Sequence, residues 1–161
     1  MSPVTIVIPN YNGAHLLKKN LPSVIRFAQL HHSETTIIVV DDGSSDDSVE
    51  VLAAEFPQID VVVHAKNRGF SEAIASGVQA ASSELVFLLN SDVELVEDVF
   101  TPLLSYFDDE DTFSVCPLMR NELGEVSRHS WNLRALMQGR LKIKKWRWEA
   151  ASQLRQQTKL P

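Results

Sequence analysis

The sequence predicts an α/β protein built on an open, doubly wound, mainly parallel β-sheet with helices on both faces. Three observations support this fold class. Four short apolar runs are typical of buried strands, a polar turn ends each run, and a segment with helical spacing of apolar residues follows each turn. Strands that alternate with helices pair in parallel, because the chain must cross back over the sheet between them.

The four predicted strands consist mostly of valine, isoleucine and leucine. These side chains favour extended backbone, and the runs contain too few polar residues for strands with one solvated face. We therefore expect the first, second and fourth strands to be buried. The four strands lie at residues 4–8, 36–40, 61–63 and 85–89.

Each predicted helix carries a feature that fixes or disturbs its ends. The first, over 16–28, contains Pro22, which should kink the helix or split it in two. Ser45 or Asp46 is expected to cap the second helix, and Ser71 the third. The third helix is rich in alanine, serine and glycine, and small side chains let a helix lie close to a sheet.

The chain beyond the fourth strand is predicted to continue with a helix from about 98 to 107. A fifth strand at 113–116 and a β-hairpin over 118–132 follow. The single cysteine, Cys116, excludes an intramolecular disulfide and is expected to be a buried core thiol.

Charge is divided unevenly along the 161 residues, which carry a formal net charge of −6. The first 133 residues sum to −13 and the segment from 134 to 161 to +7. We interpret these as two parts, an acidic domain 1–133 and a basic segment 134–161. The acidic domain repels nucleic acid, so no nucleic-acid partner is expected, and a phosphate-bearing ligand would need a cation. The basic segment is either a solvated linker or a tryptophan-bearing contact with an anionic membrane surface.

Polar side chains follow each predicted strand, and ligands of open α/β sheets bind beyond the carboxyl ends of the strands. Asp and Asn also form turns without binding anything, so one such turn alone would be weak evidence. Four polar turns at one edge predict a ligand site. The candidates are Pro9, Tyr11, Asp41, Asp42, Arg68, Gly69, Asn90, Ser91 and Asp92.

Asp92 is the candidate metal ligand of this edge. A carboxylate at the end of a buried strand has to be solvated, paired or bound to a metal. Oxygen ligands without nearby histidine or cysteine favour Mg²⁺ or Mn²⁺ over zinc. The phosphate loop of nucleotide triphosphatases and the Gly-x-Gly-x-x-Gly fingerprint are both absent from the sequence.

Four motifs in order resemble the signatures of family 2 glycosyltransferases, most closely the rhamnosyltransferase-like branch. They are Val-Ile-Pro-Asn-Tyr-Asn-Gly at 7–13, Val-Asp-Asp-Gly-Ser-Ser-Asp at 40–46, Asn-Arg-Gly-Phe-Ser at 67–71 and Leu-Asn-Ser-Asp-Val-Glu at 89–94. The resemblance covers roughly residues 3 to 117. It implies the Rossmann-like GT-A fold, with residues 1–133 as the nucleotide-sugar-binding domain.

The resemblance also implies a reaction. A sugar would pass from a nucleotide-diphosphate sugar to the hydroxyl of a saccharide, lipid-linked or polymer acceptor, with inversion and with Mg²⁺ or Mn²⁺. Such an enzyme would serve the synthesis of cell-surface polysaccharide in the cytoplasm or at the inner face of the membrane, with peripheral membrane contact through the basic segment.

Roles for the residues of the first two motifs follow from the resemblance. Pro9 and Tyr11 would line the base pocket, with Tyr11 against the nucleobase. Asp42 would accept a hydrogen bond from the base ring, and Asp41 would support the turn or the ribose.

The later motifs imply contacts with the diphosphate and the metal. Arg68, next to Gly69, would stand near the diphosphate. Asn90-Ser91-Asp92 occupies the position of the family's Asp-x-Asp motif, with Asn90 in place of the first acid. Asp92 is therefore the expected metal ligand, and Asn90 would bind ribose or a metal-bound water.

The family's catalytic base lies in a Glu-Asp pair after a glycine-rich stretch. After residue 111 the acids are Glu122, Glu125 and Glu149, and none has this context. We therefore predict that the base and the acceptor-binding half lie outside this chain, which would be a truncated donor-binding part.

The alternative is a non-catalytic Rossmann-like binding module or a receiver-type signalling module. Asp41-Asp42 is similar to the acidic pair of phospho-receiver domains. That pair normally follows the first strand, whereas here it follows the second.

Overall fold

The structure is a computed structural model that describes residues 3–30, 35–109, 111–121, 123–126, 132–137 and 140–145. It contains two compact units, Met1–Asp111 and Thr112–Pro161, each described by itself. This division falls earlier than the predicted boundary after residue 133.

The first unit alternates strands and helices, as predicted. Its four strands form one parallel sheet of order β3-β2-β1-β4. The elements are β1 Val4–Asn10, α1 Ala14–Leu30, β2 Thr35–Asp41, α2 Ser48–Glu55, β3 Asp60–Val63, α3 Phe70–Ala80, β4 Leu85–Leu88, α4 Phe100–Leu104 and a 3₁₀ turn Ser105–Asp108. The helix predicted over 98–107 is thus confirmed in part, as a short α-helix that tightens into the 3₁₀ turn.

Helices cover both faces of β1 and β2, which confirms the doubly wound arrangement. The edge strand β3 is mostly exposed, and β4 is half-buried to exposed rather than buried as predicted, because an edge strand has a neighbour on one side only. Alternate residues of a strand point to opposite faces. One set, including Ile6, Ile8 and Val39, packs in a core with Leu17 and Leu21 of α1. The other set packs against α3 and consists of Val7, Ile38 and Val40, with Ala73 from the helix.

Gly77 explains how closely α3 approaches the second face. A Cβ at this position would overlap Cγ1 of Val7 and lie 3.0 Å from Cγ2 of Val40. The small residues of α3 therefore let its backbone contact the sheet directly, as the sequence predicted.

The sheet order places a topological switch point beside β1. The chain passes from β1 to β2 on one side, and β4 later pairs with the other side of β1. Crevices at such points are the usual ligand sites of open α/β sheets. The loops after β1 and β4 flank this crevice, and both carry candidate site residues.

Helix α1 runs without interruption from Ala14 to Leu30, so of the kink or split predicted at Pro22 the split is wrong. Pro22 is exposed, and the core-facing residues lie on other sides of the helix. The proline leaves the carbonyl of Lys18 without its helical donor, but Lys18 is also exposed and water can satisfy that oxygen.

Two predicted helix caps are wrong. Helix α2 begins at Ser48 after Asp47, and α3 begins at Phe70 after Gly69, whose φ is 95°. Asp46 instead accepts hydrogen bonds from the backbone amides of Ala14 and Ser48, at 3.0 and 3.1 Å. Its carboxylate therefore joins the beginnings of α1 and α2.

The second unit departs most from the sequence predictions. No strand forms at 113–116, where the side chain of Phe113 is 96% exposed, because an apolar run without a buried face gains nothing from becoming a strand. Cys116 is exposed, so the predicted core thiol is also wrong. Of the hairpin predicted over 118–132, the described residues contain one antiparallel bridge, between Arg120 and Val126.

Over its described residues the basic segment contains a hairpin rather than only a structureless linker, and its contact with an anionic membrane surface stays a prediction. The backbone makes an antiparallel hairpin of β5, Asn132–Met137, and β6, Arg140–Lys145. Basic residues alternate with apolar ones at 140–145, which is a strand pattern rather than that of a linker.

Candidate functional site

The carboxylate of Asp41 joins the loops that follow β1 and β2. Asp41 is fully buried, and its Oδ2 accepts from Asn10 Nδ2 at 3.0 Å and from Ser44 Oγ at 2.6 Å. Oδ1 accepts from the backbone amide of Ser44 at 2.9 Å. The predicted support of the turn is therefore visible in its hydrogen bonds.

Ser44 and Ser45 hold the loop that carries Tyr11. The amide of Asn12 donates to Ser44 Oγ at 2.9 Å, and the amide of Ser45 donates to Asn12 Oδ1 at 2.8 Å. Pro9 is buried at the end of β1, whereas Tyr11 is 53% exposed. Tyr11 therefore lies on a loop that hydrogen bonds hold in place, and its ring is accessible to solvent.

Asp42 holds a different loop, the one that follows β3. It is 3% exposed, and its Oδ1 accepts from the amide of Arg68 at 3.0 Å while its Oδ2 accepts from the amide of Gly69 at 2.8 Å. His64 Nδ1 donates to Oδ1 at 2.6 Å. Burial alone would raise the pKa of the Asp42 carboxyl, but these hydrogen bonds outweigh it and hold the pKa below the usual range.

His64 is the residue of this edge that sequence reasoning missed. It is 8% exposed, and its Nε2 lies 2.9 Å from Ser76 Oγ on α3. The five histidines of the sequence show no metal-ligand spacing, so spacing does not single out His64. The available signal was its position, since His64 directly follows β3 as Asp42 directly follows β2.

Arg68 has an exposed side chain that contacts α3. Its Nη2 donates to Glu72 Oε2 at 3.1 Å, and both side chains are about half exposed. Such an exposed pair is weak, because water and salt screen it. The guanidinium is therefore free to exchange Glu72 for a stronger anion such as a diphosphate.

The loop after β4 lies beside β1, because the amide of Leu89 donates to the carbonyl of Val7 at 3.0 Å. Asn20 of α1 donates to the carbonyl of Ser91 at 2.8 Å and so fastens the loop from below. Asn90 and Asp92 are exposed on it, and Ser91 is half-buried. Their side chains are accessible to a ligand in the crevice.

These residues fit a divalent cation that is held mainly by its ligand. In the part of the chain that the structure describes, no cluster of three histidine, cysteine or acidic residues could hold a metal ion by itself. Asp92 offers an exposed carboxylate and Asn90 an amide oxygen. Mg²⁺ is often bound by one or two carboxylates together with substrate phosphates, which matches this donor set.

Acid should destabilise the fold through Asp42 and Asp46. Hydrogen bonds outweigh burial at both carboxyls and lower each pKa from the ordinary value of 3.8. The unfolded chain therefore takes up protons first, so stability is fully present above that value and is lost as pH falls through it toward the folded pKa. The urea midpoint should drop between about pH 5 and pH 3. A midpoint that stays constant over this range would contradict the assignment.

Solved structures share this sheet and its helices. A mannosyltransferase from Pyrobaculum calidifontis, in complex with GDP-Man and Mn²⁺, superposes with a TM-score of 0.56 at 21% identity over 66% of this chain and 32% of its own. TarS 1-349 of S. aureus in complex with UDP gives a TM-score of 0.58 at 19% identity over the same shares. The fold is that of the GT-A, Rossmann-like glycosyltransferases.

The chain belongs to glycosyl transferase family 2, whose family model matches residues 5–159. The family was expected from the four motifs and is confirmed. Membership leaves the receiver-type alternative without support.

This chain matches only part of the length of each named relative. An undecaprenyl-phosphate 4-deoxy-4-formamido-L-arabinose transferase of Photorhabdus laumondii is 34% identical over 56% of this chain and 29% of its own. An N-acetylglucosaminyltransferase of Bradyrhizobium elkanii is 31% identical over 67% of this chain and 61% of its own. The chain thus spans less than a third of the first relative and under two thirds of the second. Within the described residues, no helix combines the length and apolar character that a membrane crossing requires.

Proposed function

We propose that this chain binds the nucleotide-diphosphate sugar donor of a family 2 glycosyltransferase at the carboxyl edge of its sheet. The observation that supports this most is the pair of neighbouring aspartates. Asp41 fastens the loop that carries Tyr11, and Asp42 fastens the loop that carries Arg68. An aromatic face after β1 and a cation after β3 are thereby held on either side of the end of β2, as a base and a diphosphate require.

The roles of the first two motifs are proposals for this donor. Tyr11 stacks on the base and Pro9 forms the wall behind it. Asp42 Oδ2 accepts from Gly69, and because a carboxylate oxygen has two acceptor positions it retains one for the base ring. Asp41 keeps its position under the turn.

The diphosphate is proposed to lie between Arg68 and the loop of Asn90, Ser91 and Asp92. Asp92, with Asn90 beside it, would hold Mg²⁺ or Mn²⁺, which neutralises charge on the diphosphate leaving group when bound. The mannosyltransferase neighbour, whose complex contains Mn²⁺, supports this cation. Arg68 places a positive charge at the same end of the donor. This charge offsets the repulsion between the anionic diphosphate and the acidic domain.

Transfer is proposed to invert the anomeric centre, with attack by a hydroxyl of a saccharide, lipid-linked or polymer acceptor. The relative named as an undecaprenyl-phosphate transferase supports a lipid-linked acceptor, and hence action at the cytoplasmic face of a membrane. We assign no described residue as the base and propose that it is supplied from outside this chain.

Isothermal titration of the 161-residue chain with UDP, GDP and dTDP, each with and without Mn²⁺, tests donor binding. We expect one of these nucleotides to bind, and to bind more tightly with Mn²⁺. The proposal is wrong if none of the three nucleotides binds under either condition.

Replacing the metal ligand should weaken binding only when the metal is present. Asp92→Asn keeps the shape of the side chain but removes its charge, so affinity with Mn²⁺ should fall about tenfold or more. Without Mn²⁺ the variant and the parent chain should agree within about threefold. The matched control is Glu97→Gln, which removes an exposed charge five residues further along the chain. Equal affinities of Asp92→Asn and the control in Mn²⁺ would exclude Asp92 as the ligand.

A further inference from the structure

His64 connects three parts of the first unit that are distant in the sequence. Its ring extends from the end of β3 to Asp42 at the end of β2, through Nδ1, and to Ser76 in the second turn of α3, through Nε2. Both ring nitrogens are engaged, and the ring is nearly free of solvent. A buried histidine with both nitrogens bonded has a fixed orientation.

The histidine bonds to an oxygen of Asp42 that also holds the donor-site loop. Oδ1 of Asp42 accepts from His64 Nδ1 and from the amide of Arg68. The position of this oxygen therefore depends on the ring. If the ring is lost, the carboxylate can rotate about its Cβ–Cγ bond, and the amides of Arg68 and Gly69 lose an acceptor of fixed geometry.

We propose that His64 is a positioning residue for the nucleotide-diphosphate donor, holding Asp42 so that Arg68 stands where the diphosphate binds. This inference rests on the function proposed above and assigns a role that none of the four motifs contains. His64 touches no part of the donor; it acts through Asp42 on the backbone of Arg68.

The two ring nitrogens can be tested separately. His64→Asn places an amide NH₂ near the position of Nδ1 and keeps a donor to Asp42, whereas His64→Gln places its amide near Nε2 and keeps only the contact with Ser76. His64→Leu removes both contacts. Affinity for whichever of UDP, GDP or dTDP binds best should fall about tenfold in the Leu and Gln variants and less than about threefold in the Asn variant.

Ser76→Ala is the complementary variant. It removes the partner of Nε2 and leaves the Asp42 contact intact, so its affinity should resemble that of His64→Asn. It remains informative if the leucine variant folds poorly, because removing one hydroxyl from a half-buried helix position leaves packing largely unchanged. If the Asn and Leu variants lose affinity equally, the positioning role is wrong.

A double-mutant cycle with Arg68 separates positioning from general support of the fold. If His64 acts by placing Arg68, then His64→Leu should cost about tenfold in the parent chain and less than about twofold in the Arg68→Ala background. Additive losses would overturn the inference while leaving donor binding intact. Failure of the parent chain to bind UDP, GDP and dTDP would overturn the proposed function and this inference with it.

Discussion

Asp42→Asn is expected to lower the free energy of unfolding by about 2–4 kcal/mol. The asparagine has the size of the aspartate but only one acceptor oxygen. Asp42 accepts from the amides of Arg68 and Gly69 on different oxygens, and from His64 as well. In either orientation the new NH₂ group must face a donor, and a buried donor without an acceptor is costly.

The measurement is urea unfolding at pH 7, with the midpoint and slope determined for each variant. Asp47→Asn is the matched control, since Asp47 is exposed five residues along the same loop and makes no capping hydrogen bond with its side chain. The control should cost less than about 1 kcal/mol. If the two variants unfold at the same urea concentration, the Asp42 network does not contribute to stability in the way described.

The Asp42 carboxylate contributes both to the acid sensitivity of the fold and to the geometry of the proposed donor site. Protonating Asp42 weakens the acceptor that holds Arg68 and Gly69, so the loop should loosen before the sheet unfolds. The asparagine variant should accordingly lose part of the pH dependence expected between about pH 5 and pH 3.

The strands and their polar ends could be predicted because both depend on local composition. The apolar runs at 4–8 and 36–40 lie inside the observed β1 and β2, and alternation with helices was enough to predict parallel pairing. The location of the ligand edge follows from the same pattern, since the carboxyl ends of parallel strands meet at one edge.

The contacts within that edge could not be predicted, because they join residues that are distant in sequence. His64 and Asp42 are 22 residues apart and meet only because β3 pairs with β2. Likewise Asp46 bonds the first residue of α1, 32 residues away in the sequence, as well as the first residue of α2. A propensity for capping describes what a side chain can do locally, and a tertiary partner competes for the same oxygen.

The wrong predictions for the residues beyond 111 have a different cause. The run at 113–116 resembles a strand in composition, but composition predicts a strand only where a face becomes buried. Phe113 and Cys116 are both exposed, so this condition is not met.

Gly43→Ala should be the most destabilising single methyl addition in the first unit, at about 3–5 kcal/mol. Gly43 has a φ of +72°, a left-handed conformation that costs an alanine about 1–2 kcal/mol. Its Cβ would also lie 2.5 Å from the carbonyl carbon of Lys66 and 2.7 Å from the amide nitrogen of Asn67. These are backbone atoms, so the overlap can be relieved only if the two loops separate.

Gly124→Ala measures the conformational cost without the overlap. Gly124 has a φ of +76°, and no atom lies within 4 Å of the position of its Cβ. Its substitution should cost about 1–2 kcal/mol. If Gly43→Ala costs no more than this in urea unfolding, the contact between the loops is not as close as the structure shows.

The glycine and the aspartate before it should act as one unit. Separating the loop at Lys66 from Gly43 also draws the amides of Arg68 and Gly69 away from Asp42, so part of the cost of Gly43→Ala is loss of those hydrogen bonds. In a cycle with Asp42→Asn the two costs should therefore sum to more than the cost of the double variant, by about 1 kcal/mol or more. If the two costs in unfolding free energy add exactly, the overlap at Gly43 is relieved without moving the amides of Arg68 and Gly69. A double variant that costs less than the sum of the two single variants would show that both residues act on the same loop. Asp42 binds that loop, and Gly43 leaves the space that it occupies.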